Sequence, residues 1–168
     1  MSFTTTSDFR AVDPAQFRSV LGNFCSGITA VTALGPDGPL GLTCQSFTSL
    51  SLDPPLVLLS VAKTSRTWPQ IREVGSFCIN ILAEHHQEIS NQMARSGTDK
   101  FAGADWDTTP LGAPRLAGSA AWLDCTLEAE YDGGDHTIVV AGVHDLSAAT
   151  EVRPLLYYQS RYTALAQV

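Results

Sequence analysis

The chain has little charge, and little of it is positive. Charged residues fill 16% of the 168 positions, with 10 Lys and Arg against 17 Asp and Glu, a net charge of −7. Nucleic-acid binding needs clustered basic residues that displace counterions from phosphates, and ten scattered ones make no such patch. An anionic membrane surface is excluded on the same ground. No apolar run approaches the ~20 residues needed to span a bilayer. Met1 to Arg10 is polar and has no apolar stretch, so no secretory signal is expected. Cys25, Cys44, Cys78 and Cys125 are far apart and form no C-x-x-C pair. They predict neither a metal site nor disulfides, but reduced thiols in a cytoplasmic protein. The glycine fingerprint of a Rossmann fold, the phosphate-binding P-loop and the G-x-S-x-G nucleophile elbow are all missing. His85 and His86 are adjacent, and neighbours on a helix point about 100° apart, which makes them poor co-ligands and suggests a surface pair.

What remains is a globular composition, 44% hydrophobic. A chain of this length buries roughly 70% of its unfolded surface as one domain. Residues 1–12 read as a tail and 13–168 as the domain. Asp13-Pro14 signals a helix start, followed by Phe17, Val20, Leu21 and Phe24 at helical spacing, which predicts one buried stripe ended near Gly22. Ile28–Leu34 and Leu40–Phe47 read as a hairpin about the turn 35–38. Leu56–Ala62 is nearly continuous in apolar residues, as in a strand covered on both faces. A short helix is expected over Thr64–Val74, capped by Thr64 or Ser65. A strand follows over Phe77–Leu82, then a helix over Glu84–Ala94 with His86, Ile89 and Met93 on one face. Residues 95–119 are rich in Gly, Asp and Pro and read as loop. Ala121–Tyr131 alternates like a half-exposed strand. After the turn 132–135 come strands over Thr137–Leu146 and Leu155–Gln159. Six or more strands with few, short helices predict a mainly β fold with peripheral helices, an antiparallel barrel and not a doubly wound sheet.

Four polar groupings are candidates for chemistry. Thr43-Cys44-Gln45-Ser46-Phe47-Thr48-Ser49-Leu50-Ser51 crowds hydroxyls, an amide and a thiol where a strand should be. Unpaired buried polar groups cost roughly 1–3 kcal/mol each, so such a stretch either meets a ligand rich in donors and acceptors or faces water as an edge strand. Thr64-Ser65-Arg66-Thr67, at the expected helix start, suits a phosphate or an ordinary cap. Gly133-Gly134-Asp135-His136-Thr137 puts a His at a strand mouth, a donor toward a ligand or a surface turn. Asn80 is an amide inside an apolar strand, and its partners are either backbone or ligand.

Taken together in order, these stretches resemble a known family. Gly41–Val57 (GLTCQSFTSLSLDPPLV) resembles the signature of the flavin reductase-like, FMN-binding split-barrel family. Ser26-Gly27-Ile28-Thr29, Gly134-Asp135-His136-Thr137 and Pro154–Tyr158 with Arg161-Tyr162 agree with it. Within that family the similarity is greatest to reductase components of two-component flavin-dependent monooxygenases. It runs over about residues 13–165, and within 95–118 only Asp99-Lys100-Phe101 matches.

The resemblance implies a split β-barrel that forms a homodimer, with FMN or FAD near the subunit interface. Thr43, Cys44, Gln45, Ser46, Phe47, Ser49 and Leu50 would line the ribityl chain and isoalloxazine. Thr64, Ser65 and Arg66 would lie near the phosphate, and Asn80 close to the pocket. His136, Tyr158, Gln159, Ser160 and Arg161 would meet the nicotinamide of NADH, with NADPH an open alternative. Cys44 and Gln45 stand where the family often has Ala or Val and Asn. The implied activity is an NAD(P)H-dependent flavin reductase, passing hydride from nicotinamide to flavin N5. It would serve a partner monooxygenase by releasing reduced flavin. No catalytic acid, base or nucleophile is implied, because the cofactors carry the chemistry. Two other readings are a non-catalytic flavin-binding or flavin-sensing protein, and an oxidase of the pyridoxamine-phosphate type, which would want more basic residues.

Overall fold

Asp13 starts the first helix as the sequence suggests. Its carboxylate accepts from the Gln16 N–H at 2.8 Å, Pro14 takes the first position, and α1 (Pro14–Leu21) ends at Gly22. The structure, a computed structural model, describes residues 12–97 and 99–166. The tail expected over 1–12 thus lies, apart from Val12, outside the described residues. After α1 come β1 (Ser26–Gly27), β2 (Thr29–Gly35), β3 (Gly38–Cys44), β4 (Thr48–Leu52) and β5 (Pro55–Ala62). Then follow α2 (Trp68–Val74), β6 (Ser76–Ile81), a 3₁₀ turn (Glu84–His86) and α3 (Gln87–Ala94). The chain ends with β7 (Trp106–Thr108), β8 (Pro114–Leu116), β9 (Ala121–Gly133), β10 (His136–Ala148), β11 (Leu156–Tyr158) and β12 (Arg161–Thr163).

Seven strands form one antiparallel sheet in the order β3-β2-β6-β9-β10-β5-β4. Its two edges, β3 and β4, are consecutive in the chain. Ser46, in the link between them, bonds to β5 just past the last β4–β5 pair. Its Oγ accepts from Ser60 N and donates to Ser60 O, both at 2.8 Å. The coiled sheet is therefore drawn together at this seam by a side chain and not by a backbone ladder. The fold is mainly β with peripheral helices, an antiparallel split barrel, as expected.

The interior is filled by Val31, Leu42, Val57, Leu59, Val61, Phe77, Ile79 and Val139, and α2 closes one end with Trp68 and Ile71. A second cluster packs Met93 of α3, Phe101 and Leu116 against Ile28, Ala30, Leu82 and Leu155. Thr29 to Ala33 of β2 are all buried, because β2 has a core on each face. Small side chains (Thr29, Ala30, Ala33) let both cores approach it.

The structure corrects several expectations. The strand covered on both faces is β2, whereas β5 alternates, with Val57, Leu59 and Val61 inward. The stripe Phe17, Val20, Leu21 and Phe24 is not buried: these side chains are 54–79% exposed. Periodicity identified an apolar face but not what covers it. The expected helix over 64–74 begins only at Trp68, after a turn in which Ser65 Oγ accepts from the Trp68 N–H at 3.1 Å. The strand expected to run to Phe47 stops at Cys44. Residues 95–119 hold the hairpin β7–β8. Asp124, on the face of β9 expected to be half-exposed, is fully buried. His86 is no surface residue either: it is buried, and His85 alone is exposed.

Candidate functional site

A cleft of about 860 Å³ opens where the barrel is split. The end of β3 and the following link supply Thr43, Cys44, Gln45 and Ser46. The end of β5 and the turn into α2 supply Ser60, Thr64, Ser65, Arg66 and Thr67. The β9–β10 turn brings Gly133 and His136, and the far wall carries Met93, Ser96, Gly97 and Lys100. The sequence-predicted residues Thr43–Ser46, Thr64–Arg66 and His136 thus meet in one place, although three separate segments carry them.

The bonds within the wall decide what is left for a ligand. Thr43 Oγ1 donates to Ser90 O at 2.6 Å, and Ser46 is spent on the seam. Cys44 is buried with its sulfur 3.2 Å from Ser46 Oγ and 3.7 Å from Ser60 O, and burial pushes its thiol pKa up. It is a protonated wall residue, not a nucleophile. Among the described residues, the side chains of Gln45, Ser60, Thr64 and Arg66 make no hydrogen bond within the chain. Their donors face the cleft or water. His136 Nδ1 lies 2.6 Å from Asp135 Oδ1, a contact that holds the Asp135 carboxyl below its usual range and orients the imidazole. In a chain with 17 acidic residues, no carboxylate among the described residues lines the cleft, whereas two cations, Arg66 and Lys100, do.

Lys100 is the residue that sequence reasoning passed over, and the matching Asp99-Lys100-Phe101 was its only signal. Its Nζ donates to Gly41 O at 2.7 Å, Met93 O at 3.0 Å and Thr67 Oγ1 at 3.2 Å. It thereby ties β3, α3 and the start of α2 together behind the wall.

Other predicted residues lie elsewhere. Asn80 does not reach the cleft: its Nδ2 donates to Ala30 O at 3.2 Å and Thr32 Oγ1 at 3.0 Å, and its Oδ1 accepts from Leu116 N at 2.8 Å. Its amide is consumed in fastening β8 to the outside of the sheet. Phe47 lines a smaller neighbouring cavity with Leu21, Phe24 and Ser26, while Ser49 and Leu50 stand exposed on β4 and line neither. Tyr158, Gln159, Ser160 and Arg161 form the tight β11–β12 turn, with Gln159 and Ser160 at positive φ. Gln159 bonds to Gly22 O and Asn23 Oδ1 at the end of α1, and within one chain this turn does not line the cleft with His136.

Comparison with known proteins identifies the family. Residues 21–166 match the family model described as flavin reductase like domain. The chain is 49% identical over 155 residues to the reductase subunit HsaB of a flavin-dependent monooxygenase from Rhodococcus jostii, covering 92% of this chain and 80% of that protein. The solved structure of nitrilotriacetate monooxygenase component B from Mycobacterium thermoresistibile superposes with a TM-score of 0.87 at 47% identity, over 90% of this chain and 86% of that one. The NADH:FAD oxidoreductase SgcE6 of Streptomyces globisporus, solved with NAD and FAD fragments, gives 0.86 at 34% identity, over 94% and 97%. A match over most of the chain, joined to a shared fold, settles the kinship: this chain belongs to the flavin reductase like domain family.

Proposed function

We propose that this chain is an NAD(P)H-dependent flavin reductase that supplies reduced flavin to a partner monooxygenase. The observation that carries the proposal is the cleft's charge: in an acidic chain, the described residues that line it include no carboxylate but two cations and a row of hydroxyls. That surface suits an anionic ligand with many acceptors. Its volume lies in the range of cofactor sites, roughly 300–1,000 Å³. Flavin fits the donor set. The Gln45 amide and Ser60 hydroxyl would meet the ring edge or ribityl chain, and Thr64, Ser65 and Arg66 the phosphate. His136, its imidazole oriented by Asp135, would hold the nicotinamide nucleotide at the cleft mouth.

Flavin, when bound, would supply the hydride acceptor, so the chain would need no acid–base dyad of its own. The work of these side chains would be to hold the two cofactors together in a reactive orientation and to offer donors where negative charge gathers on the ring edge. Mixing the protein with NADH and either FMN or FAD tests the reading. Nicotinamide oxidation that depends on added flavin is expected. Flavin binding with no oxidation of NADH or NADPH would leave a flavin binder and sink the reductase.

We infer further that the protein works as a homodimer. Among the described residues, Phe17, Val20, Leu21 and Phe24 of α1, with Leu50 and Leu52 on β4, are exposed apolar side chains that a second copy of the chain would cover. The Tyr158–Arg161 turn packs at the end of α1 on that flank, so its proposed part in nicotinamide binding belongs to the assembled dimer. A monomer by light scattering at micromolar concentration would refute this. Four free cysteines, three of them buried, suit a cytoplasmic site of action.

A further inference from the structure

We propose that Lys100 is the positioning cation of the flavin phosphate, holding the cleft wall with its three N–H donors while its charge is left for the ligand to neutralise. The proposal rests on the flavin reading above and goes beyond it by assigning a residue to the phosphate end. Lys100 is half-buried, and its three acceptors are two carbonyls and a hydroxyl, all neutral. Among the described residues, no carboxylate lies within ion-pairing distance of it, although other basic residues, Lys63, Arg72, Arg115 and Arg153, each have one. The carboxylate next to it in sequence, Asp99, accepts from the Phe101 N–H instead.

An ammonium withdrawn from water normally recovers the loss by pairing with an anion or by giving up its proton. Burial already draws the Lys100 pKa down from its ordinary value. The chain has nonetheless built a place for it. Gly41 offers its carbonyl at a point where a Cβ would stand 3.1 Å from Met93 Sδ and 3.3 Å from Phe101, so the close approach of β3, α3 and the 99–104 segment needs the missing side chain. Through Thr67 the ammonium reaches the end of the Thr64–Thr67 turn, whose Arg66 is the cleft's other cation. A phosphate between Arg66 and Lys100 would have one cation that moves to meet it and one that is fixed. Lys100 touches the ligand only through its field, which makes it a positioning residue.

FMN and riboflavin separate this role from a merely structural one, because they differ by the phosphate alone. Flavin fluorescence titrations would compare wild type with Lys100→Gln, which keeps two donors and loses the charge, and with Lys100→Met. Wild type is expected to bind FMN more tightly than riboflavin. Lys100→Gln should weaken FMN about tenfold while changing riboflavin less than about twofold. Equal losses for both flavins would show a structural role only and overturn the proposal. A wild type that binds both flavins equally would overturn it too, with the flavin reading intact. A wild type that binds neither would instead remove the flavin reading itself. Should neither variant fold, lysine side-chain NMR on the wild type decides. FMN should raise the pH at which Lys100 titrates relative to riboflavin, and an unchanged titration would overturn the assignment. A raised Michaelis constant for NADH with the FMN-to-riboflavin ratio unchanged would move the cation to the nicotinamide's phosphates, against the proposal.

Discussion

Two polar groupings lie on this barrel, and from the sequence alone they look alike. One is on the outer face of the sheet: Thr32, Asn80 and Asp124, all buried inside strands. The other is at the split: Thr43–Ser46 with Thr64–Arg66. On the outer face every group is spent. Asn80 makes three bonds, Thr32 donates to Pro114 O, and Asp124 accepts from Thr109 Oγ1 at 2.7 Å and Leu111 N at 2.8 Å. These bonds clamp the 105–117 segment to the sheet. At the split, the side chains of Gln45, Ser60, Thr64 and Arg66 have no hydrogen-bond partner among the described residues. A polar residue in a strand therefore points to a ligand only when the rest of the chain has not used it.

The sharpest way to break this comparison is Asn80→Ala. It leaves the Leu116 N–H without a partner inside the protein and takes one donor from the Thr32 hydroxyl, which keeps its bond to Pro114 O, and should cost about 2–4 kcal/mol of stability. Flavin affinity of the folded protein should change less than about twofold. Thermal unfolding and flavin titration on one sample would check both, and a large loss of affinity with little loss of stability would return Asn80 to the cleft. The reverse pattern is expected of Arg66→Ala. Its exposed guanidinium has no partner within the chain among the described residues, so the melting temperature should stay put while FMN binding weakens about tenfold. Unchanged affinity would take Arg66 out of the phosphate site.

The contrast also marks how far the sequence could be read. Local signals were sufficient for α1, with its Asp13 cap, for the hairpin β2–β3 about Gly38, and for β6, β9 and β10. They were sufficient for the polar run at Thr43–Ser46, because four polar side chains in a row defy strand alternation. They failed wherever the deciding contact is distant in sequence. The β7–β8 hairpin sits in a stretch of Gly, Asp and Pro that predicts loop, and bonds to Asn80, Thr32 and Asp124 hold it in place. Lys100 likewise gains its meaning from Gly41 and Thr67, far back in the chain. The stripe on α1 has the right period and the wrong surroundings, since amphipathicity reports a face and not its cover.

A smaller effect would sharpen the account of the split itself. His136→Ala removes a donor at the cleft mouth whose ring is held by Asp135. A hydrogen bond of about 1 kcal/mol corresponds to roughly a fivefold rise in the Michaelis constant for the nicotinamide, with flavin affinity unmoved. Steady-state kinetics against each cofactor would show it, and a larger effect on flavin would reassign the residue.

The smallest expected effect belongs to the outer face, and there pH is the probe. His86 is buried in the 3₁₀ turn, where its Nδ1 accepts from the Ala83 N–H at 3.3 Å. The neutral ring therefore carries its proton on Nε2, toward the Ala117 backbone. Protonating Nδ1 would set one N–H against another. Burial, with the neighbouring His85 second, lowers the His86 pKa below its ordinary 6.5. The unfolded chain then takes up a proton before the folded one does. Stability should be constant above about 6.5 and fall as pH drops from there toward the lowered folded value. His86→Gln, which can keep an acceptor near Ala83, should flatten that limb while leaving the pH dependence of FMN binding unchanged. Melting temperatures of the two proteins across the acid range would show this, and parallel curves would mean that His86 shares no part in the acid response of the outer face.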